Sequence, residues 1–170
     1  DSGMGSTLLE APDAEEVGSL ELDEALSNVV YEEDLALGLH EDSGVSILDL
    51  SDPTAPRVVS VLPTLGRAIS VALDAELRIL FIVTSTGDLH AYRVADVNGP
   101  AQLAAVNLGT SAAPRGLVRV ADRLYVLSGS SLVPVRIVFG DAGVVSFSPE
   151  SAIELDGEAE RIAQGGGMIY

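Results

Sequence analysis

The chain has 170 residues, enough for one domain with a sizeable core, and 47% of them are apolar. Trp is absent and Phe and Tyr number three and four, so that core must be aliphatic. Twenty-six acidic residues face nine basic ones, all arginine, for a formal charge of −17; phosphate repulsion excludes a nucleic-acid partner and disfavours an anionic membrane surface, and without cysteine there is neither a disulfide framework nor a thiolate metal site.

Residues 1–16, "DSGMGSTLLEAPDAEE", have neither the basic start nor the apolar run of a signal peptide and read as an acidic, flexible lead-in. Val17 to Leu22 reads as an incoming strand. "NVVY" from Asn28 and "LALGL" after Asp34 follow, with a turn at Glu32-Glu33 between them. The turn "HEDSG", His40 to Gly44, leads to "VSILDL". A polar connection from Asp49 to Arg57, carrying Pro53 and Pro56, leads to "RVVSVL". The same order returns as "ISVAL" from Ile69, "RILFIV" from Arg78, "LHAYRV" from Leu89 and "QLAAVNL" from Gln102. It returns again as "GLVRV" from Gly116, "RLYVLS" from Arg123, "LVPVRIV" from Leu132 and, after a longer connection, "SAIELD" from Ser151. "RIA" from Arg161 and "GMIY" from Gly167 open a fourth set that stops at Tyr170, inside a strand that should continue.

These runs form a repeat. The second strands, starting at Asp34, Arg78, Arg123 and Gly167, step by 44 or 45 residues. "LELDEALSNVVYEEDLAL" from Leu20 aligns without a gap on "IELDGEAERIAQGGGMIY" from Ile153. Four short strands in about 44 residues make the blade of a β-propeller. A sandwich needs no internal period, and a parallel β-helix would repeat at a shorter one. The expected fold is therefore all-β: a β-propeller segment of four-stranded antiparallel blades over residues 17–170, with units near 28–66, 67–113, 114–157 and 158–170. The ring so built is incomplete, and its raw faces call for a longer polypeptide or for another chain that completes it.

The stretch "SGVSILDLSDPTAPRVVSVLPTLG" carries a resemblance. Gly44, Ile47, Leu48, Asp49, Leu50, Ser51, Asp52, Pro53 and Pro56 fill a pattern like G-L-x-I-V-D-[IV]-S-[DN]-P-x-x-P. The stretch resembles the LVIVD repeat, a propeller blade of bacterial and archaeal surface proteins. The second unit keeps Gly87, Val94, Asp96 and Pro100 in outline, and the third has lost most of the pattern. The resemblance implies an extracytoplasmic protein, secreted or at the cell surface, used for adhesion, scaffolding or recognition. It implies no catalytic residues, because the motif is structural. Read from the residues, Gly44, Asp49, Ser51, Asp52, Pro53 and Pro56 form a turn in which Asp and Ser side chains satisfy backbone groups and the prolines stiffen the loop.

Nothing in the chain reads as a catalytic motif. His40 and His90 are expected to pack or to face solvent, and no serine sits in a G-x-S-x-G elbow. The acidic clusters of "YEEDLALGLHED" flank a strand of about six residues and lie about 20 Å apart, so they form no single site. No cofactor is expected. Incidental Ca²⁺ is the one metal the acidic turns leave open, and "DVNGPA" from Asp96 lacks most of its ligands. The expected function is non-catalytic: recognition of a protein or glycan, or surface assembly, with no membrane insertion. The alternatives are a fragment of a propeller-fold glycan-active enzyme, with histidine or paired carboxylates on the innermost strands, and a subunit of a surface layer or extracellular fibre.

Overall fold

The computed structural model describes residues 16–32, 35–42, 44–140, 145–165 and 168–170. Every element among the described residues is a strand, and none is a helix long and apolar enough to cross a membrane. The first blade runs β1 (Leu26–Glu32), β2 (Leu35–His40), β3 (Val45–Asp49) and β4 (Arg57–Leu62), hydrogen-bonded in that order. The second runs β5 (Ala68–Asp74), β6 (Ile79–Thr84), β7 (Asp88–Arg93) and β8 (Ala101–Asn107). The third runs β9 (Pro114–Val120), β10 (Arg123–Ser128), β11 (Ser131–Phe139) and β12 (Val145–Pro149), with β13 (Ile153–Glu154) also on β11. The pair β14 (Gln164–Gly165) and β15 (Met168–Ile169) follows. Neighbours are antiparallel throughout, and the ring is not closed.

The blades stack through two aliphatic layers. Leu35, Leu37 and Leu39 on β2 meet Leu80 and Ile82 on β6 in the first layer. Phe81 and Val83 of that same β6 point the other way, onto Leu124, Val126 and Val135 of the third blade. A strand between two blades buries both faces, which is why β6 reads as an unbroken apolar run and not as an alternation.

The pairing register sharpens the repeat. His40, Thr84 and Ser128 each end the second strand of a blade, spaced 44 apart. Ile79 matches Arg123, one residue on from the Arg78–Arg123 match that the sequence suggests: Val94 donates to the carbonyl of Arg78 as Ile137 does to that of Asp122. Gly44 (φ 96°) and Gly87 (φ 82°) lie in the second-to-third-strand turns, where a left-handed backbone favours glycine.

Two expectations change. The fourth strand of the third blade begins at Val145, not Ser151: β12 pairs with Val135–Phe139, and Ile153–Glu154 adds only two residues opposite Leu132 and Ser131. β11 is nine residues long, so its partner starts beside its far half. Val17 to Leu22 forms no strand. The segment runs over the first blade, with Gly18 against Pro53 and Thr54 and with Glu21 to Glu24 beside His40 and Ser46.

Candidate functional site

The ends of the strands carry the polar residues. Call the lower end the one where β1 turns into β2 and β3 leads into β4. The β3–β4 connection there is the motif singled out in the sequence. Asp49 Oδ1 accepts the Ser51 amide at 3.0 Å, and Arg57 donates from Nε and Nη2 to Asp49 Oδ2 at 3.0 and 2.8 Å. The Ser51 hydroxyl and amide, with Arg57 beside them, pull the Asp49 carboxyl down to about 2, so it stays ionised. Asp52 Oδ1 accepts the Thr54 amide and hydroxyl, and the Asp52 carbonyl accepts the Ala55 amide. These bonds lower the Asp52 pKa. Pro53 and Pro56 sit within and just after that turn, before β4 begins at Arg57. Gly44 is at the opposite, upper end, where its amide donates to Thr64 Oγ1 at 2.7 Å.

Asp96 in the second blade makes the same turn. Its Oδ1 accepts the Asn98 amide at 3.0 Å and its carbonyl accepts the Gly99 amide at 3.2 Å. "DVNGPA" is thus a backbone turn. Among the described residues no group of three or more His, Asp or Glu could hold a metal ion.

The two connections face one another across a cavity of about 510 Å³, within the range of ligand sites. Leu35, Ile47, Val59 and Val97 are among its apolar walls. Asp49, Ser51, Arg57, Arg78 and Asn98 supply polar groups, and Tyr31 stands at the rim, 73% exposed. The sequence pattern reached Asp49 and Ser51. It missed Tyr31, Arg78 and Asn98, which come from a different strand and from the next repeat.

A second cavity of about 480 Å³ opens between the ends of the innermost strands, bordered by Glu32 (β1), Asp74 and Glu76 (end of β5 and beyond), Arg119 (β9) and Gln164 (β14). Arg119 Nη2 pairs with the buried Asp74 Oδ2 at 2.6 Å, tying the second blade to the third. Asp74 Oδ1 also caps the Leu77 amide.

Both histidines are buried. Nε2 of His40 lies 2.6 Å from Ser46 Oγ, and its Nδ1 lies 3.1 Å from Glu24 Oε2, off the line of a hydrogen bond. The order of groups is that of a Ser-His-acid relay, but Ser46 is only 1% exposed, within a strand. The matching residues explain the arrangement better. Ser128 Oγ donates to Ala112 O at 2.6 Å; beside Thr84, Ser85 N donates to Arg67 O and Thr86 Oγ1 to Leu65 O. Each blade fastens the end of its second strand to the segment that enters its first. His90, on β7, accepts from Gln102 Nε2 through Nδ1 at 3.1 Å, which leaves Nε2–H buried without a partner. It stacks on Tyr92, whose hydroxyl donates to the Pro63 carbonyl.

No family model matches the chain, and no curated protein matches it. Solved β-propeller proteins do resemble it in structure. Sqt1 of Saccharomyces cerevisiae superposes with a TM-score of 0.63 at 9% identity, over 79% of this chain and 37% of Sqt1. Hsv2 of Kluyveromyces lactis gives 0.64 at 14% identity, over 85% of this chain and 53% of Hsv2. AztD of Citrobacter koseri gives 0.54 at 15%, over 81% and 37%. The chain spans about half the length of these propellers or less, and at such identity the likeness is one of fold.

Proposed function

We propose that the chain is a non-catalytic β-propeller module of an extracytoplasmic protein, and that it recognises a protein or glycan partner. The observation that carries this reading is the cavity between the first two blades. Its walls come from the connections of two adjacent repeats, each stiffened by an aspartate-capped turn, so a partner meets a preformed surface. The LVIVD-like stretch from Gly44 to Pro56 supports placement at the cell surface. Arrays of glycans and of immobilised peptides, probed with wild type and with Tyr31→Ser and Leu50→Ser variants, test the reading. Hits that both variants weaken support it; hits indifferent to both overturn it.

One observation favours a second reading, a fragment of a glycan-active propeller enzyme. Glu32, Asp74 and Glu76 border one cavity at the ends of the innermost strands, where such an enzyme needs its carboxylates. Asp74, however, is held by Arg119. Turnover of polysaccharides that disappears in Glu76→Gln would establish this reading in place of the first.

A further inference from the structure

We propose that the outer face of the first blade, turned away from the second, is the seat of a further blade of this repeat on the same polypeptide, and that Leu20 to Leu22 end that blade's outermost strand. The proposal does not depend on recognition at the cavity. Antiparallel pairing puts Val29, Gly38, Ser46 and Val61 in one row across the outer face, and Tyr31, Ala36, Leu48 and Val58 in the next. The second blade carries the same rows as Val71, Ile82, His90 and Ala105, and as Leu73, Leu80, Tyr92 and Gln102, down to the register shift that precedes Leu48 and Tyr92. There the rows lie against the first blade, and Val71 and Leu73 are 7% and 8% exposed. On the first blade Val29 and Tyr31 hold the same positions at 58% and 73%, and Val61 is exposed with them. One sheet surface is thus a sealed interface in the second blade and open apolar surface in the first. Ala36 stands where the second and third blades have Leu80 and Leu124, so the side chain that packs on it must be large. A blade of this repeat supplies one, since the middle of its second strand reads Leu37, Phe81 and Tyr125 in the three copies.

The segment before β1 adds a separate argument. In the third blade Ile153 and Glu154 lie opposite Leu132 and Ser131, and the Leu155 amide donates to the Ser130 carbonyl at 2.7 Å. In the second, Val106 and Asn107 lie opposite Leu89 and Asp88, and the Leu108 amide donates to the Gly87 carbonyl at 2.9 Å. Leu20, Glu21 and Leu22 align with Ile153, Glu154 and Leu155 without a gap, which assigns them the end of an outermost strand. The first blade is not its owner, because Leu62 already holds that position opposite Val45. The course of the segment agrees. It meets Pro53 and Thr54 at Gly18, passes beside Val58 and Val61, and reaches His40 at Glu24, so it follows β4 as β8 follows β12 one interface on. After Leu22 the chain enters β1 as it enters β9 after Leu108 and β14 after Leu155, which puts strand and seat on one polypeptide.

Inserting a second copy of residues 67–101 between residues 15 and 16 of the full chain tests this. The insertion supplies the first three strands of a blade, with Phe81 in the second, and leaves Leu20 to Leu22 to end the fourth. A second insertion, residues 67–109, brings its own β8. Val29→Cys gives each chain a reporter thiol, since the protein has no cysteine. With the first insertion, maleimide labelling of that thiol is expected to slow about tenfold against the full chain, and exchange of the Leu22 amide to slow about as much as it bonds to the inserted Gly87 carbonyl. With the second, the Leu22 amide should exchange as in the full chain. Ala36→Glu should restore fast labelling in the first insertion while β10 keeps its exchange protection, which separates a lost seat from a lost fold. A thiol labelled as fast with the first insertion as without it overturns the seat, whether the inserted strands fold elsewhere or stay unfolded. Slowed Leu22 exchange with both insertions overturns the strand assignment. A full chain that dimerises and shields the thiol with no insertion overturns the choice of occupant in favour of a second copy.

Discussion

His90 has the most telling environment of any single residue. It is 4% exposed between the first two blades, accepts from Gln102, and holds an Nε2–H with no partner. Burial pushes its pKa below the ordinary histidine value, and Asp88 opposes the shift only in part. The unfolded chain therefore takes up a proton on this ring at a pH where the folded chain does not. Stability contributed by the neutral ring is present above the unfolded pKa of about 6.5 and is lost as pH falls below it, levelling off beneath the folded value. Urea midpoints should fall between about pH 7.5 and 5.5 in wild type and stay flatter in His90→Gln. A wild-type midpoint unchanged over that range would mean that the buried ring accepts its proton freely. The Arg119–Asp74 pair differs, since its aspartate is buried and its arginine bridges two blades. Arg119→Ala leaves that carboxylate unpaired and should cost about 3 kcal/mol in denaturant unfolding, with Glu76→Ala as a near-neutral control.

At the level of elements, the turns obey the repeat more strictly than the letters do. Asp52 and Asp96, 44 residues apart, make the same side-chain and backbone bonds, and Pro56 and Pro100 follow each at the same distance. The second copy of the motif looked degenerate because only the aspartate that caps the turn and the proline that ends it are physically required. The residues between them were free to change. β12 was illegible for a related reason. "VVSFSP" alternates as a strand should, but the period placed a connection there, and nothing in the spacing shows that β11 runs to nine residues. The cavity was half legible: Asp49 and Ser51 lie within the motif, whereas Tyr31 joins them from the far strand of the same blade, and Arg78 and Asn98 only through the stacking of two blades. Two left-handed glycines offer a direct test of turn chemistry, Gly87 in the second-to-third-strand turn of the second blade and Gly109 in the connection from that blade to the third. Gly87 has φ 82°, and a Cβ there would lie 2.9 Å from Thr110 Oγ1; Gly109 has φ 61° with nothing within 4 Å. Gly87→Ala should cost about 2 kcal/mol and Gly109→Ala about 1, the difference reporting the crowding rather than the backbone. Equal losses would assign the whole effect to φ.

Across the whole molecule, stability should follow position in the stack. The second blade is covered on both sides, by the first through Leu80 and Ile82 and by the third through Phe81 and Val83. The face of the first blade turned away from it presents the small residues Ala36, Gly38 and Ser46, with the segment 16–25 passing over part of it. The far face of the third blade is met by Ile162, which packs on Gly116, and by the chain from Leu155 to Ala159 held to Ser130 and Gly129. Where each unit contacts only its neighbours, stability is a sum of unit and interface terms, and the middle unit opens last. Amides of β6 and β7 should therefore exchange most slowly, those of β14 and β15 fastest. Phe81→Ala, a fully buried ring replaced in the second layer, should cost about 3–5 kcal/mol. Its effect should be local in a specific direction. Exchange should accelerate in β9 to β12, which lose their anchor, while β2 and β3 keep their protection through the intact first layer. Leu37→Ala should do the reverse, releasing the first blade and sparing the third. If either variant speeds exchange evenly over all three blades, the segment unfolds as one cooperative body, and the layers do not act as separable interfaces.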